Sequence, residues 1–379
     1  MNKILNKMLA IFLLLNPLLD VSSFFGLPIS ILFRSLFLLI VIFYLIVRKK
    51  ELVALCILFL FSLIQIGYQI AFLNNNLLFT ISTILKFLYL PVTLLFFKNF
   101  DFSYNKDNLC LIILILYLGI YLFSYFFKIG VNNYLPTEGK KGFRGVFSSI
   151  NEFSAIVTCL LPIMVNSLKE KRHFVLCIIL LVCSLLCSFF IGTKILTAGV
   201  VFATFYLLWQ YRMMFFRLPK VKKIGLTCAL LFLIVFGGFF FTKTRTYQNM
   251  LVQQNFFKVK QIVSLGFVNK VLFNNRFQFL QDNYSYFHKQ TILKKIFGIG
   301  LQDNQVKLVE IDFCDILFRY GCLGLIVFSS FLFITMKKEK VRSVDRIVQF
   351  LFLFISVTSG HALLAPAVAI YFSLSFCKF

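Results

Sequence analysis

The chain carries a succession of apolar runs, each about as long as a bilayer is thick, and this property confines what it can fold into. The runs fall at 4–20, 29–47, 52–71, 78–97, 109–127, 152–168, 174–191, 195–211, 224–242 and 312–335. At a rise of about 1.5 Å per residue, ~20 helical residues cross the ~30 Å of hydrocarbon. The last apolar stretch, 347–376, is too long for one such helix and short for two, so eleven or twelve crossings are expected. Composition agrees: the chain is 60% apolar, 14% charged and contains 52 Phe, against about 45–50% apolar and 25% charged in soluble domains. The expected fold class is all-α, a polytopic integral membrane helix bundle.

A net charge of +25 would point to nucleic acid in a soluble protein, but here it has first to be sorted by membrane side. Arg48-Lys49-Lys50, Lys169-Glu170-Lys171-Arg172, Arg212 to Lys223 and Lys337 to Arg346 fall on one side if the helices alternate. The positive-inside rule makes that side cytoplasmic, which puts the N-terminus inside and 128–151, 192–194 and 243–311 outside. The start, MNKILNKMLAIFLLL, has no small-residue cleavage site after it and reads as a retained first helix. The domain reading is then transmembrane helices 1–9 over 1–242, a large extracellular loop over 243–311, and C-terminal transmembrane helices over 312–379.

The outer loop is unusual. Residues 243–311 hold ten Lys/Arg against three acids, and long loops cross regardless of such charge. Apolar clusters (Phe256-Phe257, Ile262-Val263, Val271-Leu272-Phe273) alternate with the basic residues, as in amphipathic helices lying on a membrane or under a bundle. A basic surface against a membrane suits an anionic ligand such as a lipid phosphate or an acidic polymer; the other reading is a solvated loop near anionic headgroups.

Several chemistries are missing their signatures. Cys56, Cys110, Cys159, Cys177, Cys183, Cys187 and Cys228 lie in apolar runs without paired spacing, so they read as buried thiols, with no metal motif. There is no GxxxxGK[ST], HExxH or GxSxG, and Gly298-Ile299-Gly300 lacks the third glycine of a dinucleotide fingerprint. No cofactor, no metal and no nucleic-acid partner is expected.

The chain offers instead polar residues at the outer ends of helices. Arg144, in GFRGVFSSINEFSA, is flanked by glycines that let backbone approach a ligand while the guanidinium binds phosphate; its alternative is a snorkelling interfacial arginine. Lys194, in the turn IGTKILT, reads equally as a ligand cation or a snorkelling anchor. Arg276 opens a stretch in which Phe277, Leu280, Tyr284 and Phe287 have helical spacing. Lys86 and Arg34 lie within spans, where charges default to a functional or paired role, and Arg34 is expected to pair with Asp20. His173 belongs to a cytoplasmic loop and His288 to the outer one, while His361, in TSGHALLAP, reads as structural. In KLVEIDFCDILFRYGCLG, Asp315 and Arg319 are spaced to pair on a helix face and Asp312 suits a helix N-cap. Glu310 has neither role.

Taken in order, RGVFSSINEFSA, GTKILT, NNRFQF, FGIGLQDN and EIDFCDILFRYGCLG resemble the O-antigen ligase/polymerase (Wzy) superfamily over roughly residues 140–330. The resemblance implies a GT-C-like membrane glycosyltransferase that moves glycan from undecaprenyl diphosphate on the outer face. It implies diphosphate binding by Arg144, Lys194 and Arg276, and a catalytic position at Glu310 with Asp312 beside it. Lys86 and His361 are possible accessory residues. Counting back eleven positions from Gly321, Glu310 stands where ligases have a histidine. The implied activity is metal-independent polymerisation of lipid-linked oligosaccharide repeat units into capsular or exopolysaccharide at a bacterial cytoplasmic membrane. Its implied partners are the undecaprenyl-diphosphate-linked oligosaccharide, the growing glycan chain, membrane lipids and other capsule-assembly proteins. A lipid-linked oligosaccharide flippase, or ligation of glycan to another acceptor, are the alternatives.

Overall fold

Where backbone polar groups meet hydrocarbon they must be satisfied within the segment, and a helix does this residue by residue. In the computed structural model the apolar runs accordingly form α1 (Asn2–Phe24), α2 (Ile29–Val47), α3 (Leu52–Leu73), α4 (Leu77–Asn99), α5 (Lys106–Phe126), α6 (Ile150–Glu170), α7 (Phe174–Ile191), α8 (Lys194–Phe216) and α12 (Asp312–Met336). The remaining elements are the hairpin β1 (Val131–Asn132) and β2 (Phe143–Gly145), the helices α9 (Arg245–Phe256), α10 (Arg276–His288) and α11 (Ile292–Phe297), and finally α13 (Ser343–Thr358) and α14 (Pro366–Leu374). The structure describes residues 2–133, 142–171, 173–216, 242, 244–256, 269, 273, 275–300, 309–337, 341–360 and 362–377. All but the last residue of the expected span 224–242, the clusters Ile262-Val263 and Val271-Leu272, Cys228 and His361 lie outside those residues.

Among the described residues, eight helices are long and apolar enough to cross a membrane. Their outward faces are hydrocarbon: Leu32, Leu36, Leu39 and Phe43 of α2 are all more than half exposed, which water would penalise and lipid does not. The chain is an all-α, multi-pass membrane protein. Local signals set several helix starts. Asn76 and Asn105 accept from the backbone N–H of Leu78 and Asn108, and Ser149 accepts from Glu152 N–H in a Ser-x-x-Glu capping box. The nine described cysteines are free thiols.

The chain forms two compact units, one of residues Met1–Tyr104 and Val268–Phe379, the other of Asn105–Phe267. In the first, α4 packs on α2, α3, α12 and α14. The stretch 347–376 proves to be α13 followed by a break and the nine-residue α14, which at ~1.5 Å per residue is far too short to cross. Polar tethers hold it instead. Asn16 Nδ2 donates to Ala367 O at 3.4 Å, Tyr371 Oη donates to Leu13 O at 3.2 Å, and Thr93 and Ser373 share a 2.8 Å hydroxyl bond. Phe352 of α13 stacks on Phe372 at 3.7 Å. The expected pair of Arg34 with Asp20 forms, and the same guanidinium donates to Asn16 Oδ1 at 2.9 Å.

In the second unit α6 is the central helix, packed on α5, α7 and α8. Gly199 of α8 sits against Thr158 of α6 so closely that a Cβ would strike its side chain, the small-residue contact that membrane helices use for close approach. Hydroxyls add bridges within this unit: Ser154 of α6 to Thr193, in the turn before α8, at 3.0 Å, and Ser188 of α7 to Thr197 of α8 at 2.7 Å.

Candidate functional site

Two polar clusters contain the expected site residues, one in each unit. In the first unit the cluster lies where α12 begins and α13 ends. Arg276, the first residue of α10, is 5% exposed. Its Nη1 donates to Thr358 O, and its Nη2 donates to Ser359 O at 3.1 Å and to Glu310 Oε2 at 2.5 Å. The guanidinium therefore caps the negative C-terminal end of α13 while holding the Glu310 carboxylate. Its Nε is buried with no hydrogen-bond partner among the described residues.

The start of α12 departs from one expectation. Ile311, not Asp312, occupies the N-cap, and no side chain caps the helix there. Asp312 Oδ2 instead accepts from the backbone N–H groups of Ala362 and Leu363 at 2.9 and 2.8 Å. Asp315, whose charge acts on Arg319 as the spacing implies, also accepts from Val309 N–H at 3.0 Å and Glu310 N–H at 3.1 Å, one on each oxygen. Both carboxylates reach loops whose amides have no helical partner, and charge-assisted bonds to such amides are strong.

Glu310 is held in the left-handed region, with φ of 60°. For a non-glycine residue that conformation costs about 1–2 kcal/mol, and such strain gathers at functional sites. Burial separates the three carboxylates: Asp312 and Asp315 are 2% and 6% exposed, while the Glu310 side chain is 38% exposed. Only Glu310 offers its carboxylate to an incoming group.

The frame behind this cluster is a break in α12. Gly321, at φ 71° and ψ −174°, ends the first part of the helix. The Gly298-Ile299-Gly300 segment lies in the break, with Ile299 N–H donating to Phe318 O at 2.9 Å. Gln65 Nε2 donates to Phe297 O and Tyr320 O, both at 3.1 Å, and Tyr68 Oη donates to Gly298 O at 3.0 Å. Gly298 thus serves backbone packing, and Gly300 fits against the Leu73 and Asn75 side chains.

In the second unit Arg144 lies on β2, half-buried, with its Nε buried and without a hydrogen-bond partner among the described residues. Tyr121 Oη donates to Phe143 O at 2.8 Å and Gly145, at φ 67°, rests against Ser124, which fixes the strand. Lys194 is the half-buried first residue of α8. A third cation, Arg245 of α9, has no motif to announce it. Its Nη1 donates to Phe190 O at 2.9 Å and its guanidinium lies 6.0 Å from the Tyr125 ring centre. Tyr125 stacks on Phe190 at 3.7 Å and meets Phe143 edge-on, so one ring links the neighbours of Arg144 and Arg245. Asn249 of α9 donates to Gly192 O at 3.3 Å, two residues from Lys194. Lys86 is exposed on α4 and joins neither cluster. His361 lies outside the described residues.

Residues 253–378 match the family model described as O-antigen ligase like membrane protein. The matched stretch includes Arg276, Glu310, Asp312, Asp315 and both glycines of the α12 break. No curated protein and no solved structure matches the chain.

Proposed function

We propose, from the match of residues 253–378 to the O-antigen ligase like family, that the chain is a glycosyl-transferring membrane protein of the O-antigen ligase/polymerase superfamily that polymerises undecaprenyl-diphosphate-linked repeat units into capsular or exopolysaccharide on the outer face of the cytoplasmic membrane. In the reaction the anomeric carbon–oxygen bond to the lipid diphosphate breaks as the acceptor sugar's hydroxyl oxygen bonds to the same carbon. The leaving diphosphate gathers negative charge, and preorganised cations in a poorly hydrated site stabilise it more than water could. Arg144, Lys194 and Arg276 are proposed for that role, and Arg245, over the Tyr125 ring that also meets Phe143 beside Arg144, is a further cation. The acceptor hydroxyl gives its proton to Glu310, acting as general base; Asp312 supports it from beneath by holding the 362–363 amides.

The observation that carries this reading is the contrast among three neighbouring carboxylates: Asp312 and Asp315 are buried, whereas Glu310 is accessible, strained and held by Arg276. Glu310→Gln in the native host tests it. The expected result is loss of polymer with accumulation of single lipid-linked repeats, seen by gel and by lipid extraction. Polymer of normal length in that strain rejects Glu310 as the base.

The ligase wording of the matched family favours one second reading, transfer of finished glycan to another acceptor. A deletion strain that still makes long lipid-linked chains but leaves them unattached would select it.

A further inference from the structure

The left-handed backbone of Glu310 requires something to hold it. Among the described residues, Asp315, Gly360 and Arg276 meet that residue. Asp315 takes the Glu310 N–H at 3.1 Å with one oxygen and the Val309 N–H at 3.0 Å with the other. Gly360 lies against its carbonyl, so that a Cβ there would stand 2.5 Å from Glu310 O and 2.8 Å from Glu310 Cα. Arg276 holds its carboxylate at 2.5 Å. Of these, Asp315 grips two consecutive backbone amides, those of Val309 and Glu310, and it does so from the first turn of α12, where Asp315 N–H is itself anchored to Ile311 O at 2.9 Å.

We propose that Asp315 is a positioning residue that presets Glu310 for proton abstraction; this rests on the reading of Glu310 as the general base. Both carboxylate oxygens are needed, because two amide donors converge on them from consecutive residues. Gly360 is the surface against which Asp315 presses the strained residue, and its own φ of 62° suits glycine. The pair of restraints aims the Glu310 side chain along the Arg276 guanidinium and leaves it open to an acceptor, while Asp315 stays 6% exposed and out of reach of substrate. Any effect of Asp315 on the reacting atoms therefore passes through Glu310.

A purely structural aspartate would be needed whether or not Glu310 is present, and a double-mutant cycle separates the two cases. The substrate is the lipid-linked glycan extracted from a deletion strain, and the enzyme is the full chain in lipid nanodiscs, assayed over long incubations so that residual turnover is read. Asp315→Asn keeps the size but turns one acceptor into a donor facing an N–H. It is expected to lower kcat at least tenfold with KM within twofold. Adding it to Glu310→Gln is expected to cost less than a further twofold. Gly360→Ala, which must move Glu310, is expected to show the same pattern. Wild-type turnover in Asp315→Asn overturns the assignment, as does a double variant many-fold slower than Glu310→Gln alone. If Asp315→Asn does not purify as folded protein, the Gly360→Ala cycle decides by the same criterion. A deletion strain that accumulates no lipid-linked glycan, or full turnover in Glu310→Gln, overturns the parent reading and this assignment with it.

Discussion

Gly298 and Gly321 stand backbone against backbone: a Cβ on Gly321 would lie 2.6 Å from the amide nitrogen of Gly298, and one on Gly298 would run into the Arg319 carbonyl. Both residues also have φ in the left-handed region, 95° and 71°. The loop ahead of α12 enters the helix break only because neither has a side chain.

Alanine at either position is therefore expected to destabilise the protein by at least ~2 kcal/mol, combining a backbone collision with an unfavourable φ. Thermal unfolding in detergent measures it. Gly67→Ala in α3, where nothing lies within 4 Å of the new Cβ, should leave the midpoint unchanged or raise it slightly, since alanine is the better helix former by about 1 kcal/mol.

Breaking the Arg34–Asp20 pair from one side should cost more than removing both partners. Their side chains are 14% and 9% exposed, and a buried charge left without its partner costs about 3–5 kcal/mol. Arg34→Met and Asp20→Asn should each lower the unfolding midpoint. The double variant should recover a large part of the loss, and failure to recover would show that Asn16 and not the pair carries the stability.

Glu51, between α2 and α3, provides a pH-dependent contact. Burial pushes its carboxyl up, but hydrogen bonds from Lys98 and Asn99 and the charges of Lys98 and Lys50 together bring it below the ordinary value of 4.5. A carboxyl lowered on folding stabilises the folded state above its unfolded pKa and stops doing so as pH falls through its folded value. Glu51→Gln should thus lower the unfolding midpoint at pH 7, and the difference from wild type should shrink as pH drops below about 4.5.

Arg276→Lys is expected to abolish most polymer formation, at least tenfold by gel densitometry. One ammonium cannot reproduce a planar group that reaches Thr358 O, Ser359 O and Glu310 together. Lys289→Ala, an exposed residue just past the end of α10, should leave polymer yield unchanged. Equal losses from both would mean that general loop charge, and not the Arg276 geometry, supports the activity.

Much of the helical framework was legible because membrane-crossing length and continuous apolarity are local properties. The runs at 29–47 and 174–191 match α2 and α7 residue for residue. The stretch 347–376 was ambiguous for a tertiary reason: a nine-residue helix is only stable there because Asn16, Leu13 and Thr93 supply polar partners from the first and fourth helices. The Arg34–Asp20 pair was readable, since the two helices are joined by a short turn. Arg245 was not, because its place beside Tyr125 depends on α9 folding back onto α7.

The charges around Glu310 mark the division most sharply. The residues alone determined that the chain spans a membrane in helices, that charge gathers at the approach to α12, and that Glu310 is the residue without a routine role there. Sequence spacing assigned Asp315 to Arg319 and Asp312 to a cap, because those are the nearest partners along one helix. The tertiary structure gave Asp312 to backbone amides fifty positions away, added the Val309 and Glu310 amides to Asp315, and gave Glu310 to Arg276. In a poorly hydrated interior an unsatisfied amide is costly, so a carboxylate binds the donors that the fold brings to it, and which donors those are is decided only when distant segments pack together.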